Sequence, residues 1–180
     1  MSRLMQEYKK KIRPALREEL KIANIHAVPR IEKIVVNAGI GRILQQNPKV
    51  LDKLVEVMGK ITGQRPVVTR AKKAIAGFKI RQGQTVGLTA TLRSKRMYDF
   101  LDKLVNIAFP RTRDFRGLSR SGFDGRGNYN CAVREVIVFP EAGEGNMEGN
   151  FGLEITIVTS AQTNEAAYQL LKKYRFPFKD

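Results

Sequence analysis

Between Lys60 and Tyr98 the chain has no acidic residue. Ten cations stand in that window: Lys60, Arg65, Arg70, Lys72, Lys73, Lys79, Arg81, Arg93, Lys95 and Arg96. A folded surface in water normally mixes both signs, because a one-sign field repels itself and opposes compaction. A window that omits one sign points to life against a polyanion, of which nucleic acid is the commonest.

Other absences narrow the class. A lone cysteine, Cys131, excludes an internal disulfide and agrees with a reducing compartment. One histidine, His26, and one cysteine fall short of the roughly four convergent ligands of a zinc site. Nor do they make a nucleophile–base pair unless the fold brings them together. Cys131 sits in an apolar run and reads as a small core hydrophobe. No apolar run reaches the roughly 18 residues of a membrane-spanning helix. The opening MSRLMQEYKKKIRPAL lacks an apolar signal-peptide core. Its basic amphipathic character leaves an anionic membrane surface as the competitor to nucleic acid. Gly39 and Gly41 follow a strand pattern, but Leu44 holds the position where a dinucleotide fingerprint needs its third glycine, so a tight turn is expected. Carboxylates such as Glu18/Glu19 and Asp99/Asp102 lie on helical stretches beside basic residues and read as solvated helix charge.

What is present is a chain of 180 residues, 42% hydrophobic, with net charge +16. That is enough apolar material for a core, so the basic character is not that of a disordered tail. Leu4, Tyr8, Ile12, Leu16 and Leu20 recur every fourth residue and predict an amphipathic helix from Ser2 to about Ile22, kinked or restarted at Pro14. Ile31 to Asn37 reads as a β-branched strand. Asn47 before Pro48 is an N-cap signal, and a helical face follows from Val50 to Ile61, stopped by Gly63. Val67 to Arg70 is a short strand. Thr85 to Arg93 alternates cleanly, with Val86, Leu88, Ala90 and Leu92 on one face and Thr85, Thr89, Thr91 and Arg93 on the other. Ser94 is the expected cap of a helix to about Ala108, ending before Pro110. Cys131–Phe139 and Phe151–Ser160 read as strands, and Thr163 opens a last helix to about Tyr174. The expected fold is α+β in one domain over residues 1–180: a largely antiparallel sheet of about five strands, helices on one side, and long basic loops.

Three segments carry the binding argument. Thr69–Gln84 (TRAKKAIAGFKIRQGQ) intersperses cations with small residues and sets Phe78 between Gly77 and Lys79. Its basic hairpin loop, 71–84, suits phosphate neutralisation by Lys and Arg and stacking by Phe78. The threonine face of Thr85–Arg93 offers hydroxyls to 2′-OH groups and phosphates; by itself it reads better as a plain solvent face, and beside the basic loop the two readings are even. Pro110–Asn130 holds five arginines, two Phe, one Tyr and four Gly, a composition suited to RNA contact or protein docking. From Glu135 to Leu171, by contrast, there are six acids and no cation.

Five runs, in order, resemble one family across the whole chain: VPRIEKIVVNAGIG (Val28–Gly41), ITGQRPVVTRAKKAIAGFKIRQG (Ile61–Gly83), TLRSKRMYDFLDKLVNIAFPRTRDFRG (Thr91–Gly117), FDGRGNYN (Phe123–Asn130) and the ending FPFKD. The family is that of the bacterial large-subunit ribosomal proteins that bind 5S rRNA, the L-five family. The resemblance implies a structural part of the central protuberance with no enzymatic activity, beside the expectation from composition and motifs of no cofactor, metal or membrane. It implies 5S rRNA and large-subunit rRNA as partners, with Asn37, Gln64, Thr91 and Arg93 at the rRNA contact; Thr69 and Thr89 complete the expected polar set. It implies that the basic loop, with Arg70, Lys72, Lys73, Phe78, Lys79 and Arg81, reaches P-site tRNA. It further implies other 5S-rRNA-associated ribosomal proteins as neighbours. Loops at Pro110–Arg126, with Arg111, Arg113 and Arg116, and at Glu141–Asn150 would meet a ribosomal protein of the small-subunit head. The chain departs from the family pattern in the glycine-rich run Ala142–Gly152 and in Cys131, where a smaller residue is usual.

Overall fold

A computed structural model describes residues 2–142 and 150–179 of the chain. The N-terminal stripe is buried as its spacing demands: Leu4, Tyr8, Ile12 and Leu16 all face the core. They lie on α1 (Arg3–Glu7), a π-helical turn (Tyr8–Ile12) and α2 (Arg13–Glu19). The proline explains the π turn. Pro14 has no N–H, and its ring would meet the carbonyl of Lys10, four residues back, in a regular helix. A wider turn centred on Lys10 relieves that clash and leaves the helix continuous.

The same device corrects the expected end of the later helix. α5 (Ser94–Lys103) passes through a π turn (Leu104–Ala108) into α6 (Phe109–Arg111), so the helix runs past Pro110 instead of stopping before it. The π turn is centred on Asn106, again four residues before the proline. Ser94 is not the cap: Arg93 holds that position, no side chain caps the helix, and Ser94 takes a φ of 49°.

Five strands form one sheet: β1 (Ile31–Gly39), β2 (Val67–Arg70), β3 (Thr85–Leu92), β4 (Tyr129–Val133) and β5 (Leu153–Thr159). Their order is β2-β3-β1-β5-β4, and every pair is antiparallel. The α+β expectation therefore holds. β1 is central, flanked by β3 and β5. On one face Ile34, Val36, Leu88, Ala90, Leu92, Ile155 and Ile157 are buried. They join Leu54, Met58 and Ile61 of α4 (Leu51–Thr62), Met97 and Leu101 of α5, and Leu170 and Leu171 of α7 (Asn164–Lys173) in one core.

Caps and stops follow local chemistry. Asn47 Oδ1 accepts from Lys49 N at 3.2 Å at the start of the 3₁₀ turn Pro48–Val50 that leads into α4. Gly63 ends α4 with a φ of 67°, the left-handed region that glycine enters without penalty. Thr163 Oγ1 caps α7 by accepting from Ala166 N at 3.3 Å. Two readings are corrected. The expected turn after Gly39 contains a short helix, α3 (Gly41–Gln46). The expected strand Cys131–Phe139 ends at Val133, and Val136–Val138 is a 3₁₀ turn with Val136 and Val138 buried. The apolar run there marks core and carries no strand pairing. Among the described residues no helix is long and apolar enough to cross a membrane.

Candidate nucleic-acid interface

With helices on one face of the sheet, the other face is open, and the strand register states what it shows. One row runs Val67, Thr89, Asn37, Glu154, Ala132 across all five strands. The next runs Thr91, Val35, Thr156, Asn130. Residues directly opposite in an antiparallel pair share a face, so Asn37, Thr89 and Thr91 are brought together. Thr69 lies opposite Gly87 one step further along β3. Thr156 Oγ1 donates to Asn130 Oδ1 at 2.7 Å and ties β5 to β4.

Gln64 comes to this face from the turn after α4. Its Nε2 donates to Thr91 O at 3.4 Å, and its Oε1 accepts from Arg96 Nη1 at 3.4 Å. Both hydroxyl and backbone chemistry hold the turn: Thr62 Oγ1 donates to Met58 O at 2.7 Å and approaches Gln64 O at 2.8 Å. Gln64, Thr91 and Arg96 thus form one polar corner at the end of β3. Arg93 lies just beyond, at the mouth of a cleft of about 480 Å³ that Lys9, Arg13, Arg30, Tyr8 and Tyr98 also line. His26 lines the same cleft, and its Nδ1 stands 3.3 Å from Arg13 Nη2.

The basic loop is a hairpin arm extending β2 and β3. Ala71 N donates to Gln84 O at 2.8 Å, Gly83 N donates to Ala71 O at 2.9 Å, and Ile75 bridges to Ile80. Ala76–Phe78 makes a 3₁₀ turn, and Lys79 closes it with a φ of 54°. Phe78 does not tuck beneath the tip; it is 66% exposed. Arg70, Lys72, Lys73, Lys79 and Arg81 are all exposed or nearly so. Of the ten cations in the acid-free window, only Lys60 and Lys95 make ion pairs among the described residues. Their partners, Glu56 and Asp99, lie four residues away on the same helix and just outside the window.

Arg111, Arg113 and Arg116 sit elsewhere, exposed on a segment fastened to the chain's end. Phe115 stacks on Phe109 at 5.4 Å, Leu118 N donates to Pro177 O at 2.7 Å, and Lys179 N donates to Leu118 O at 2.9 Å. The FDGRGNYN run is tied together by its own hydrogen bonds. Asp124 Oδ1 accepts from Arg126 N at 2.8 Å and Asn128 N at 3.0 Å, and Oδ2 accepts from Asn128 Nδ2 at 2.7 Å. The Asn128 side chain is the largest cause holding the Asp124 carboxyl below its ordinary value. Arg120 stacks over the Tyr168 ring at 4.1 Å and donates to its hydroxyl at 2.7 Å, so this arginine is committed to packing. The expected Glu141–Asn150 contact falls largely on residues 143–149, outside the described residues.

Cys131 packs toward the core with Sγ 3.7 Å from Ile155 O, and burial pushes its thiol up to about 12. Three features escape the sequence reading. Glu154 stands on the open face, Arg96 holds Gln64, and Gln45 on α3 reaches the arm. Alternation along β5 carries the first signal, since Leu153, Ile155 and Ile157 are inward and Glu154 must oppose them.

Comparison with known proteins decides the family. A profile described as ribosomal protein L5 matches residues 24–81, and one for the C-terminus of the same ribosomal family matches residues 85–178. The chain belongs to the ribosomal protein L5 family. It is 54% identical over 178 residues to the large ribosomal subunit protein uL5 of Halothermothrix orenii, covering 99% of each chain. It is 53% identical over 178 residues to the uL5 of Chloroflexus aurantiacus, covering 99% of this chain and 98% of that one. With the uL5 of Syntrophomonas wolfei it shares 50% over 179 residues, 99% of this chain and all of that one. Membership makes it a structural, non-enzymatic constituent of the large subunit of the cytoplasmic ribosome.

Proposed function

We propose that this chain, acting as one domain, binds 5S rRNA in the central protuberance through the open face around β3, and contacts P-site tRNA through the arm at 71–84. The rRNA contact comprises Asn37, Gln64, Thr69, Thr89, Thr91 and Arg93. The arm contributes Arg70, Lys72, Lys73, Lys79 and Arg81 as phosphate ligands and Phe78 as a stacking surface. Arg111, Arg113 and Arg116 serve the bridge to a ribosomal protein of the small-subunit head, while large-subunit rRNA and other 5S-rRNA-associated proteins complete the surroundings.

One observation carries the reading: two surfaces of different shape share an acid-free window. The β3 corner belongs to the sheet, with Gln64 hydrogen-bonded to both Thr91 and Arg96. The arm stands out from it, cationic, with an exposed aromatic at its turn. A fixed face suits a permanent partner, and a projecting arm suits one that comes and goes.

Filter binding with 5S rRNA and reconstituted large subunits tests both halves. A variant with Lys72, Lys73, Lys79 and Arg81 all changed to Ala should keep its 5S rRNA affinity and weaken P-site tRNA on the ribosome. A Thr91/Arg93 double Ala variant should lose 5S rRNA. Equal loss of 5S rRNA in both variants sinks the division of labour, and equal wild-type affinity for duplex DNA and 5S rRNA sinks the specific 5S rRNA contact.

A further inference from the structure

We propose that Glu154 and Asn37 together read the Watson–Crick edge of a guanine in the bound RNA; the inference rests on assigning the open sheet face to rRNA. Asn37 and Glu154 are register partners on β1 and β5. Asn37 Nδ2 donates to Glu154 Oε2 at 3.3 Å. A carboxylate only accepts, so the amide has one orientation: nitrogen toward Glu154, Oδ1 away from it. Among the described residues no other hydrogen bond engages Asn37 Oδ1 or the second Glu154 oxygen, and Glu154 makes no ion pair. Glu154 is exposed, and the row around it holds Val67, Thr89 and Ala132.

The result is two unspent acceptors, one on each of two register partners, on a face otherwise neutral in that row. A carboxylate there repels phosphate, so its place against RNA must be opposite hydrogen-bond donors. Guanine alone among the bases presents two adjacent donors, N1–H and N2–H, on its Watson–Crick edge. Adenine and cytosine set their amino donor beside an acceptor, and uracil sets one imino donor between two acceptors. Bases in single-stranded loops and bulges display this edge to proteins. Asn37 then has two tasks: it places the carboxylate through Nδ2 and supplies the second acceptor through Oδ1.

Glu154→Gln is the test. Its oxygen still accepts from Asn37, but the outward atom becomes an N–H that opposes a guanine donor. Losing one good base contact should weaken 5S rRNA binding about tenfold, with the melting temperature unchanged. Kethoxal, which attacks N1 and N2 of unpaired guanine, should find one guanine protected in the wild-type complex and open in the variant complex, the other protections persisting. Tighter binding by the variant, as expected where the carboxylate faces phosphate, overturns the proposal. So does unchanged affinity, or an unchanged protection pattern. Failure of the wild type to bind 5S rRNA removes the underlying assignment and this inference with it.

Discussion

Gln45 donates from Nε2 to the carbonyl oxygen of Phe78 across 3.1 Å. The bond joins helix α3 to the turn of the arm, over a cavity of about 640 Å³ lined by Arg42, Lys79, Ile80 and Val86. The rest of the arm is held by its own ladder. Gln45→Ala should therefore loosen the arm without unfolding the sheet. A solvent-accessible hydrogen bond contributes about 1 kcal/mol at most, so global stability should hardly move. Trypsin should cut faster at Lys72, Lys73, Lys79 and Arg81, and amide exchange at Ile75 and Ile80 should rise. Unchanged proteolysis would show that the ladder alone fixes the arm.

Gly87 gives a sharper test of the β2–β3 junction. A Cβ there would stand 2.8 Å from Thr69 Oγ1 and 3.0 Å from Ala38 O. The second neighbour is backbone and cannot turn aside. Gly87→Ala should cost about 1–3 kcal/mol in urea unfolding, the usual cost of overpacking. Adding Thr69→Ala removes the hydroxyl and should restore part of that loss, leaving the share owed to Ala38. Full restoration would place the whole conflict on the threonine.

How much of this was legible beforehand follows from the physics of each signal. Alternation in Thr85–Arg93 and the four-residue stripe from Leu4 to Leu16 are repeated many times over, so strand, helix and buried faces follow from them. Caps at Asn47 and Thr163 depend on one side chain and its neighbours, and they hold. The strand from Cys131 fails past Val133 because an apolar run reports burial, and burial is equally served by a 3₁₀ turn. Pro110 misleads because a π turn set four residues upstream removes its clash, a compensation no local pattern displays. The site divides in the same way. Thr89 and Thr91 are visible as a polar face of one strand. Asn37 facing Glu154 and Gln64 reaching Thr91 depend on register between segments 27 to 117 residues apart, which only the assembled sheet supplies.

Cys131 makes an alkaline prediction. Burial raises the folded thiol from 9.0 to about 12. The folded state therefore favours the protonated thiol. The stability this brings is complete below pH 9 and drains away as pH climbs from about 9 toward about 12, because the unfolded chain ionises first. Tyr129 and Tyr174, also raised by burial, add to the same alkaline loss. Thermal melts from pH 7 to 10.5 should fall at the upper end, and Cys131→Ala should flatten part of that fall. At pH 8 a thiol reagent should modify the folded protein far more slowly than the unfolded chain. Rapid modification of the native protein would contradict the buried thiol.

The acid-free window predicts a salt response that separates its two surfaces. Lys60 and Lys95 are already matched by Glu56 and Asp99, so they should release few counterions on binding. Arg65, Arg93 and Arg96 flank the corner at the end of β3, whereas Lys72, Lys73, Lys79 and Arg81 belong to the arm. A protein that neutralises about 6–10 phosphates loses roughly 10³–10⁵ in affinity between 50 and 200 mM salt. For 5S rRNA the slope of log affinity against log salt should be steep, and each corner arginine changed to Ala should reduce it by about 0.9. The four arm substitutions should leave that slope unchanged and lower the slope for tRNA instead. Filter binding across a salt series measures both. A common drop in both slopes on removing the arm charges would mean that the arm and the corner act as one electrostatic surface.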